Sequence, residues 1–288
     1  MTTPVLLHGL SEIAENYDAL LCDVWGVVHN GRERFAAACA ALTRFRAERG
    51  PVILISNAPR PAADVSPQLD ALSVPHEAWT TMVTSGDATR ALLAERAPGP
   101  AWAIGPDRDA PLYHGLGLDF SGPEEAVFIS CTGPTDDTVE TPEDYRERLT
   151  FCASRGLTMI CANPDRVVQR GDQLVYCGGA LADLYAELDG SVVMAGKPYA
   201  PIYEMSLTEA TAHLGRPLER ARALCIGDGI ATDLGGAADQ GLDALFIAHG
   251  IHAAEALAVD GELEPARLGA LLAREGGHAR FAMRSLVW

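Results

Sequence analysis

The sequence predicts an α/β protein built on a parallel sheet, with a second α/β unit inserted in its middle. Short apolar runs bounded by turn residues recur at 19–22, 52–55, 192–194, 223–226 and 244–248, and amphipathic segments lie between many of them. That rhythm belongs to buried strands joined by crossover helices. Between about Gly86 and Gly190 the chain carries strand candidates of its own, at 102–104, 127–129, 158–161 and 174–176, with two further helices. This is enough chain for a separate unit. The expected division is a discontinuous core of 1–85 and 191–288 and an inserted α/β domain of 86–190 over the carboxyl edge of the sheet.

Helices are expected at 34–48, 61–72, 87–96, 142–155, 198–214 and 265–274, several of which open with Pro in the first turn or close on Gly, as helix ends prefer. The Gly/Pro-rich patch at 97–101 reads as a loop. The C-terminal 281–288 is apolar enough to pack on the core or on a partner. There is no internal repeat and no low-complexity segment.

The 288 residues are 48% hydrophobic, enough for one large or two moderate cores. A formal net charge of −17 repels nucleic-acid backbones and anionic membrane surfaces, so neither is expected as a partner. An anionic substrate is still admissible, because a divalent cation and a few placed Lys or Arg residues can reverse the potential locally. The seven cysteines are odd in number, scattered, and mostly set in apolar runs such as Leu20-Leu21-Cys22. They read as buried thiols in a reducing compartment, with neither zinc spacing nor a base partner. The N-terminal residues lack a signal-peptide pattern and no run is long enough to span a bilayer, so a soluble cytoplasmic protein is expected.

In open parallel sheets ligands bind at the carboxyl ends of strands, and four strand ends carry polar groups. Asp23 ends the first run, with Gly26 permitting a turn; alone, this Asp could simply cap that turn. Ser56-Asn57 follows the second run and could hold phosphoryl oxygens or serve as a helix N-cap. Lys197 stands just before a Pro-initiated helix, where a lone Lys is ordinarily a solvated charge. The fourth place is the specific one: Gly227-Asp228 followed by Asp233 puts two carboxylates five residues apart around a Gly-containing turn. Few, well-placed carboxylates with open positions for phosphate oxygens suit Mg²⁺.

In order and spacing, Asp23-Val24-Trp25-Gly26, Ser56-Asn57, Lys197-Pro198 and Gly227-Asp228 with Asp233 resemble the four motifs of the haloacid dehalogenase-like (HAD) superfamily. Val83-Thr84-Ser85-Gly86, Ala162-Asn163-Pro164-Asp165, Gly178-Gly179-Ala180-Leu181 and the run from Asp233 to Gly241 are similar to subclass IIA, which includes p-nitrophenyl and pyridoxal phosphate phosphatases. The resemblance spans nearly the whole chain. It implies a Rossmann-like parallel-sheet core with an inserted α/β cap domain of the kind that subclass IIA carries between its second and third motifs. It further implies that the cap decides specificity and that two copies pair through their caps.

The resemblance also implies roles. Asp23 becomes the nucleophile that forms an aspartyl-phosphate. Ser56 and the Asn57 backbone hold the transferring phosphate, and Lys197 neutralises the charge around it. Mg²⁺ sits between Asp23, Asp228 and the Trp25 carbonyl, with Asp233 orienting the metal shell or Lys197. Arg60 and Asp165 are candidates for substrate contact.

One departure matters more than the matches. The family's phosphatases carry a second Asp two residues after the nucleophile, as general acid and then base; here that position is Trp25. An indole cannot exchange a proton at useful pH, and such help is commonly worth about 10²–10⁴ in rate. The expected activity is therefore Mg²⁺-dependent hydrolysis of a phosphorylated small metabolite with a preference for activated leaving groups. His29, six residues past Asp23, is the nearest titratable substitute. Two other readings stay open: a catalytically silent protein that binds a phosphorylated metabolite, and a dehalogenase-type hydrolase, which needs no metal.

Overall fold

Strands without a polar face need cover on both sides, and the two that bear the first and last motifs are of this kind: every residue of Ala19–Asp23 and of Ala223–Gly227 is buried. The computed structural model describes residues 3–170 and 173–288. In chain order the strands are β1 (Val5–Leu6), β2 (Ala19–Asp23), β3 (Val52–Ser56), β4 (Thr81–Thr84), β5 (Ala101–Ile104), β6 (Phe128–Cys131), β7 (Thr158–Cys161), β8 (Val167–Arg170), β9 (Gln173–Tyr176), β10 (Ser191–Met194), β11 (Ala223–Gly227), β12 (Asp243–Ile247) and β13 (Phe281–Met283). The α-helices are α1 (Ala36–Glu48), α2 (Ala62–Ala71), α3 (Ser85–Ala94), α4 (Arg146–Ser154), α5 (Gly178–Glu187), α6 (Ala200–Leu214), α7 (Gly235–Asp239), α8 (Ala253–Ala256) and α9 (Pro265–Glu275).

The described chain divides into two units, one made of residues up to 56, 66–83 and 203–288, the other of 57–65 and 84–202. The first holds a seven-stranded sheet in the order β1-β13-β12-β11-β2-β3-β4. Strands β1/β13, β13/β12, β12/β11, β11/β2 and β2/β3 pair in parallel, which makes this the predicted α/β architecture. The last strand, β13, enters between β1 and β12, so the apolar C-terminal segment packs on the core. Helix α9 opens with Pro265 and closes on Gly276 in the left-handed region (φ +67°), the expected pair of end signals.

The second unit holds a parallel four-stranded sheet, β10-β7-β6-β5, and the antiparallel hairpin β8-β9. Alternate residues of each strand serve opposite faces. Ile129, Cys131, Met159 and Cys161 pack with Leu149 of α4 and Leu181 and Tyr185 of α5. Phe128, Ile160 and Ala162 pack with Leu93 of α3 and Leu112. The apolar run at 192–194, grouped by sequence with the first sheet, instead pairs in register with β7, Ser191 opposite Thr158 and Met194 opposite Cys161. Its alternating exposure is that of an edge strand. Helix α5 is not among the expected helices; it opens on Gly178-Gly179, and glycine is a poor helix former. All seven cysteines are buried thiols outside any disulfide, as expected.

Candidate active site

Within the first unit, the parallel register brings two motif carboxylates together. Leu21 lies opposite Cys225 and Cys22 opposite Ile226, so Asp23 at the end of β2 and Asp228 just beyond β11 leave the sheet side by side. The chain then winds through a π-helical turn, Ile230–Leu234, that returns Asp233 to the same place; such turns favour functional positions. Asp23, Asp228 and Asp233 are 7%, 6% and 4% exposed, and each offers an oxygen within 4.8 Å of the others.

Backbone donors orient this cluster. Asp228 Oδ2 accepts the Ile251 N–H at 2.7 Å, and Asp233 Oδ2 accepts the Gly229 N–H at 3.0 Å. Tyr203 donates its hydroxyl to the Thr232 carbonyl at 3.1 Å; burial raises that phenol well above its ordinary value, so it stays a donor. Gly26 has φ +87°, and a Cβ there would overlap the Asp228 carboxylate. Only glycine gives both the left-handed turn and the room.

Three buried carboxylates this close repel one another unless a cation or protons compensate. An all-oxygen donor set with open positions fits a hard divalent cation such as Mg²⁺. The Trp25 carbonyl adjoins Gly26 at the same loop and would complete the set expected from the motif.

Trp25 is held by its own loop. The loop folds back through Gly26 N–H to His29 O (2.8 Å) and Val28 N–H to Val24 O (2.8 Å). The indole meets the His29 ring edge-on, centroids 5.0 Å apart and planes at 76°. His29 is 2% exposed, and its Nδ1 accepts the Gly31 N–H at 3.0 Å. Burial pulls its pKa down to about 4, so the imidazole is neutral at ordinary pH. His29 thereby braces the turn and the indole. This seat is invisible in the sequence beyond the turn signal Asn30-Gly31.

Of the remaining motif residues, Ser56 belongs to the first unit and Asn57 and Lys197 to the second. Ser56 ends β3, one residue beyond Ile55, which is opposite Asp23. Asn57, 5% exposed, clasps both sides of the Lys197 backbone: its Oδ1 accepts the Lys197 N–H at 2.7 Å and its Nδ2 donates to the Lys197 carbonyl at 3.1 Å. The same Nδ2 donates to Asp165 Oδ1 at 2.8 Å. Lys197 itself is 3% exposed, far from the solvated charge that a lone Lys suggests. Arg60 pairs with the buried Asp109 at 3.6 Å and donates to the Asp64 carbonyl. Burial pushes the Asp109 carboxyl up, against the Thr132 hydroxyl and Arg108 and Arg60. The structure thus brings Asn57, Asp165 and Lys197 together and Asp23, Asp228 and Asp233 together, while Arg60 serves a separate ion pair.

A model of the haloacid dehalogenase-like hydrolases matches residues 20–119, and a second HAD-like model matches 194–270. The crystal structure of a haloacid dehalogenase-like hydrolase from Brucella suis is 46% identical, covers 98% of this chain and 100% of its own, and superposes with a TM-score of 0.87. The chain therefore belongs to the haloacid dehalogenase-like hydrolases and is an enzyme of that class. Among curated relatives, the D-glycerol 3-phosphate phosphatase of Mycobacterium tuberculosis is 28% identical over 85% of this chain and 67% of its own length. A crystal structure of the glycerol phosphate phosphatase of that organism contains magnesium, with a TM-score of 0.63, 25% identity, and coverage of 88% of this chain and 74% of the other. The 5′-nucleotidase YutF of Bacillus subtilis is 23% identical over 86% of this chain and 93% of its own.

Proposed function

We propose that this chain is a Mg²⁺-dependent phosphatase that hydrolyses a phosphorylated small metabolite through an aspartyl-phosphate on Asp23. The observation that carries this reading is the buried triad Asp23, Asp228 and Asp233, with ligand oxygens within 4.8 Å. The mycobacterial relative, a phosphatase with a magnesium-containing structure, supports the same chemistry. Bound by Asp23, Asp228, Asp233 and the Trp25 carbonyl, Mg²⁺ would neutralise the triad and the phosphoryl oxygens.

The other Asp23 oxygen attacks phosphorus, and the leaving oxygen departs with the bonding pair. Ser56 and the Asn57 backbone N–H hold phosphoryl oxygens, and Lys197 offsets the charge that develops on them. Water oxygen then bonds to phosphorus as the Asp23 oxygen–phosphorus bond breaks, which returns the carboxylate and releases phosphate, the protons of the water passing to phosphate and solvent. Asp165 and Arg60, expected to meet substrate, have partners in Asn57 and Asp109, and we assign them to shaping the turns around Asn57. With an indole at position 25, leaving groups that need no protonation are turned over fastest. The expected boundary at 190/191 moves, because β10 pairs with β7 and leaves 191–202 with the inserted unit; with that change a core and a cap, a homodimer and a cytoplasmic setting belong to the same reading, and among the described residues no helix is long and apolar enough to cross a membrane. The dehalogenase reading is disfavoured because it leaves the clustered carboxylates without a task.

Phosphate release from acyl, aryl, nucleotide and sugar phosphates, with and without Mg²⁺, tests the proposal. Turnover should need the metal and should fall steeply as the leaving group becomes less acidic. Full activity in excess chelator contradicts it. Metal and phosphate binding without turnover would favour the silent binding protein instead.

A further inference from the structure

A π turn displaces backbone carbonyls from their ordinary helical donors, so it persists where other groups satisfy them. The turn Ile230–Leu234 has such a group in Tyr203, a buried residue of α6. Its hydroxyl stands 3.1 Å from the Thr232 carbonyl and 3.4 Å from that of Asp233, so one donor serves two successive carbonyls. The ring is seated against the helix that continues the turn: a Cβ on Gly236 would fall 2.3 Å from the hydroxyl oxygen and 2.5 Å from Cε2. The Asp233 carboxylate, for its part, rests on two glycines. A Cβ on Gly227 would lie 2.2 Å from Asp233 Cγ, and one on Gly229 would lie 3.0 Å from Oδ2, the oxygen that accepts the Gly229 N–H.

Asp233 is therefore held at its side chain and at its backbone, and the backbone hold comes from a hydroxyl that lies outside all four motifs. We propose that Tyr203 is a positioning residue for Mg²⁺ binding, its hydroxyl fixing the turn that brings Asp233 to Asp23 and Asp228. The inference rests on the metal site of the phosphatase reading and adds a residue to it. A carboxylate on a fixed backbone has little freedom left to lose when it meets a cation, whereas a loose one must first be ordered. Groups that orient metal ligands are commonly worth about 10–100-fold in affinity. Tyr203 acts through the main chain, which puts its effect at the lower end of that range.

The test is Tyr203→Phe, which keeps the ring and removes the hydroxyl. Tyr185→Phe is the matched control, because Tyr185 is also buried and donates its hydroxyl to the Leu157 carbonyl at 2.6 Å in the core of the second unit. Mg²⁺ affinity is read by calorimetry on the whole chain, and phosphate release is followed against Mg²⁺ at saturating substrate. Tyr203→Phe should raise the Mg²⁺ Kd about tenfold, with kcat recovering at saturating metal. Tyr185→Phe should lower Tm and leave the Mg²⁺ Kd unchanged. Gly236→Ala, which displaces the hydroxyl instead of deleting it, should weaken Mg²⁺ binding in the same sense and supplies the comparison if Tyr203→Phe does not fold. Mg²⁺ binding that is the same in wild type and Tyr203→Phe, or an equal loss in Tyr185→Phe, overturns the inference and leaves the phosphatase reading standing. A wild-type protein that binds no Mg²⁺ overturns that reading and the inference with it.

Discussion

At the scale of single residues, the site is organised by close approach. Asp228 lies against Gly26 and beside two other buried carboxylates, so its charge is a liability without a cation and an asset with one. Removing one negative charge by Asp228→Asn should therefore raise the stability of the metal-free protein by roughly 1–3 kcal/mol. The same variant should lose most of the Mg²⁺-induced rise in Tm, a pairing of effects that thermal melts with and without chelator would check. Gly31→Ala puts a side chain at φ +82° and against the indole, and should cost about 1–3 kcal/mol in urea unfolding. Asp23 and Asp228 were legible because each stands at the end of a buried apolar run, and Asp233 through its spacing from Asp228. The seat of Trp25 was not, since an edge contact between positions 25 and 29 and a ring over Gly31 exist only through space.

At the scale of elements, local signals and tertiary context divide the explanation. Helix α3 opens with a capping box in which the Thr84 hydroxyl accepts the Asp87 N–H at 3.0 Å and the Asp87 carboxylate accepts the Thr84 N–H at 3.0 Å. The Thr84 hydroxyl also donates to the Arg60 carbonyl at 2.8 Å, tying the helix to the loop that follows Asn57. Thr84→Ala should cost about 1–2 kcal/mol, measurable by chemical denaturation. In that loop's partner, Asp109, burial raises the carboxyl pKa in the folded state. The folded protein then holds its proton more tightly than the unfolded chain, so stability falls as pH rises from the ordinary carboxylate value through the raised one. Asp109→Asn, which resembles the protonated form, should gain stability relative to the parent between pH 3.5 and pH 7; a constant difference across unfolding curves in that range (roughly three pH units) would contradict this. Apolar runs revealed nine of the thirteen described strands but not β1, β4, β8 or β13, and they did not reveal sheet membership: β10 is four residues long and its pairing with β7 is a matter of register rather than composition.

At the scale of the molecule, the parallel topology explains why residues far apart in the chain share a site. Strands β2 and β11 are separated by about two hundred residues yet adjacent in the sheet, so Asp23 and Asp228 must emerge together once both are placed at carboxyl ends. That much followed from the sequence pattern and the family resemblance together. The most direct measurement is phosphate release by the wild-type enzyme and by Asp23→Asn on acetyl phosphate, p-nitrophenyl phosphate and glycerol phosphate, with Mg²⁺ and with chelator. Turnover of the two activated substrates that is lost in Asp23→Asn by about 10³-fold or more, vanishes with chelator and is weakest on glycerol phosphate is the predicted result. Metal-independent turnover, or turnover that survives Asp23→Asn, would contradict a nucleophile held in a metal-binding carboxylate cluster.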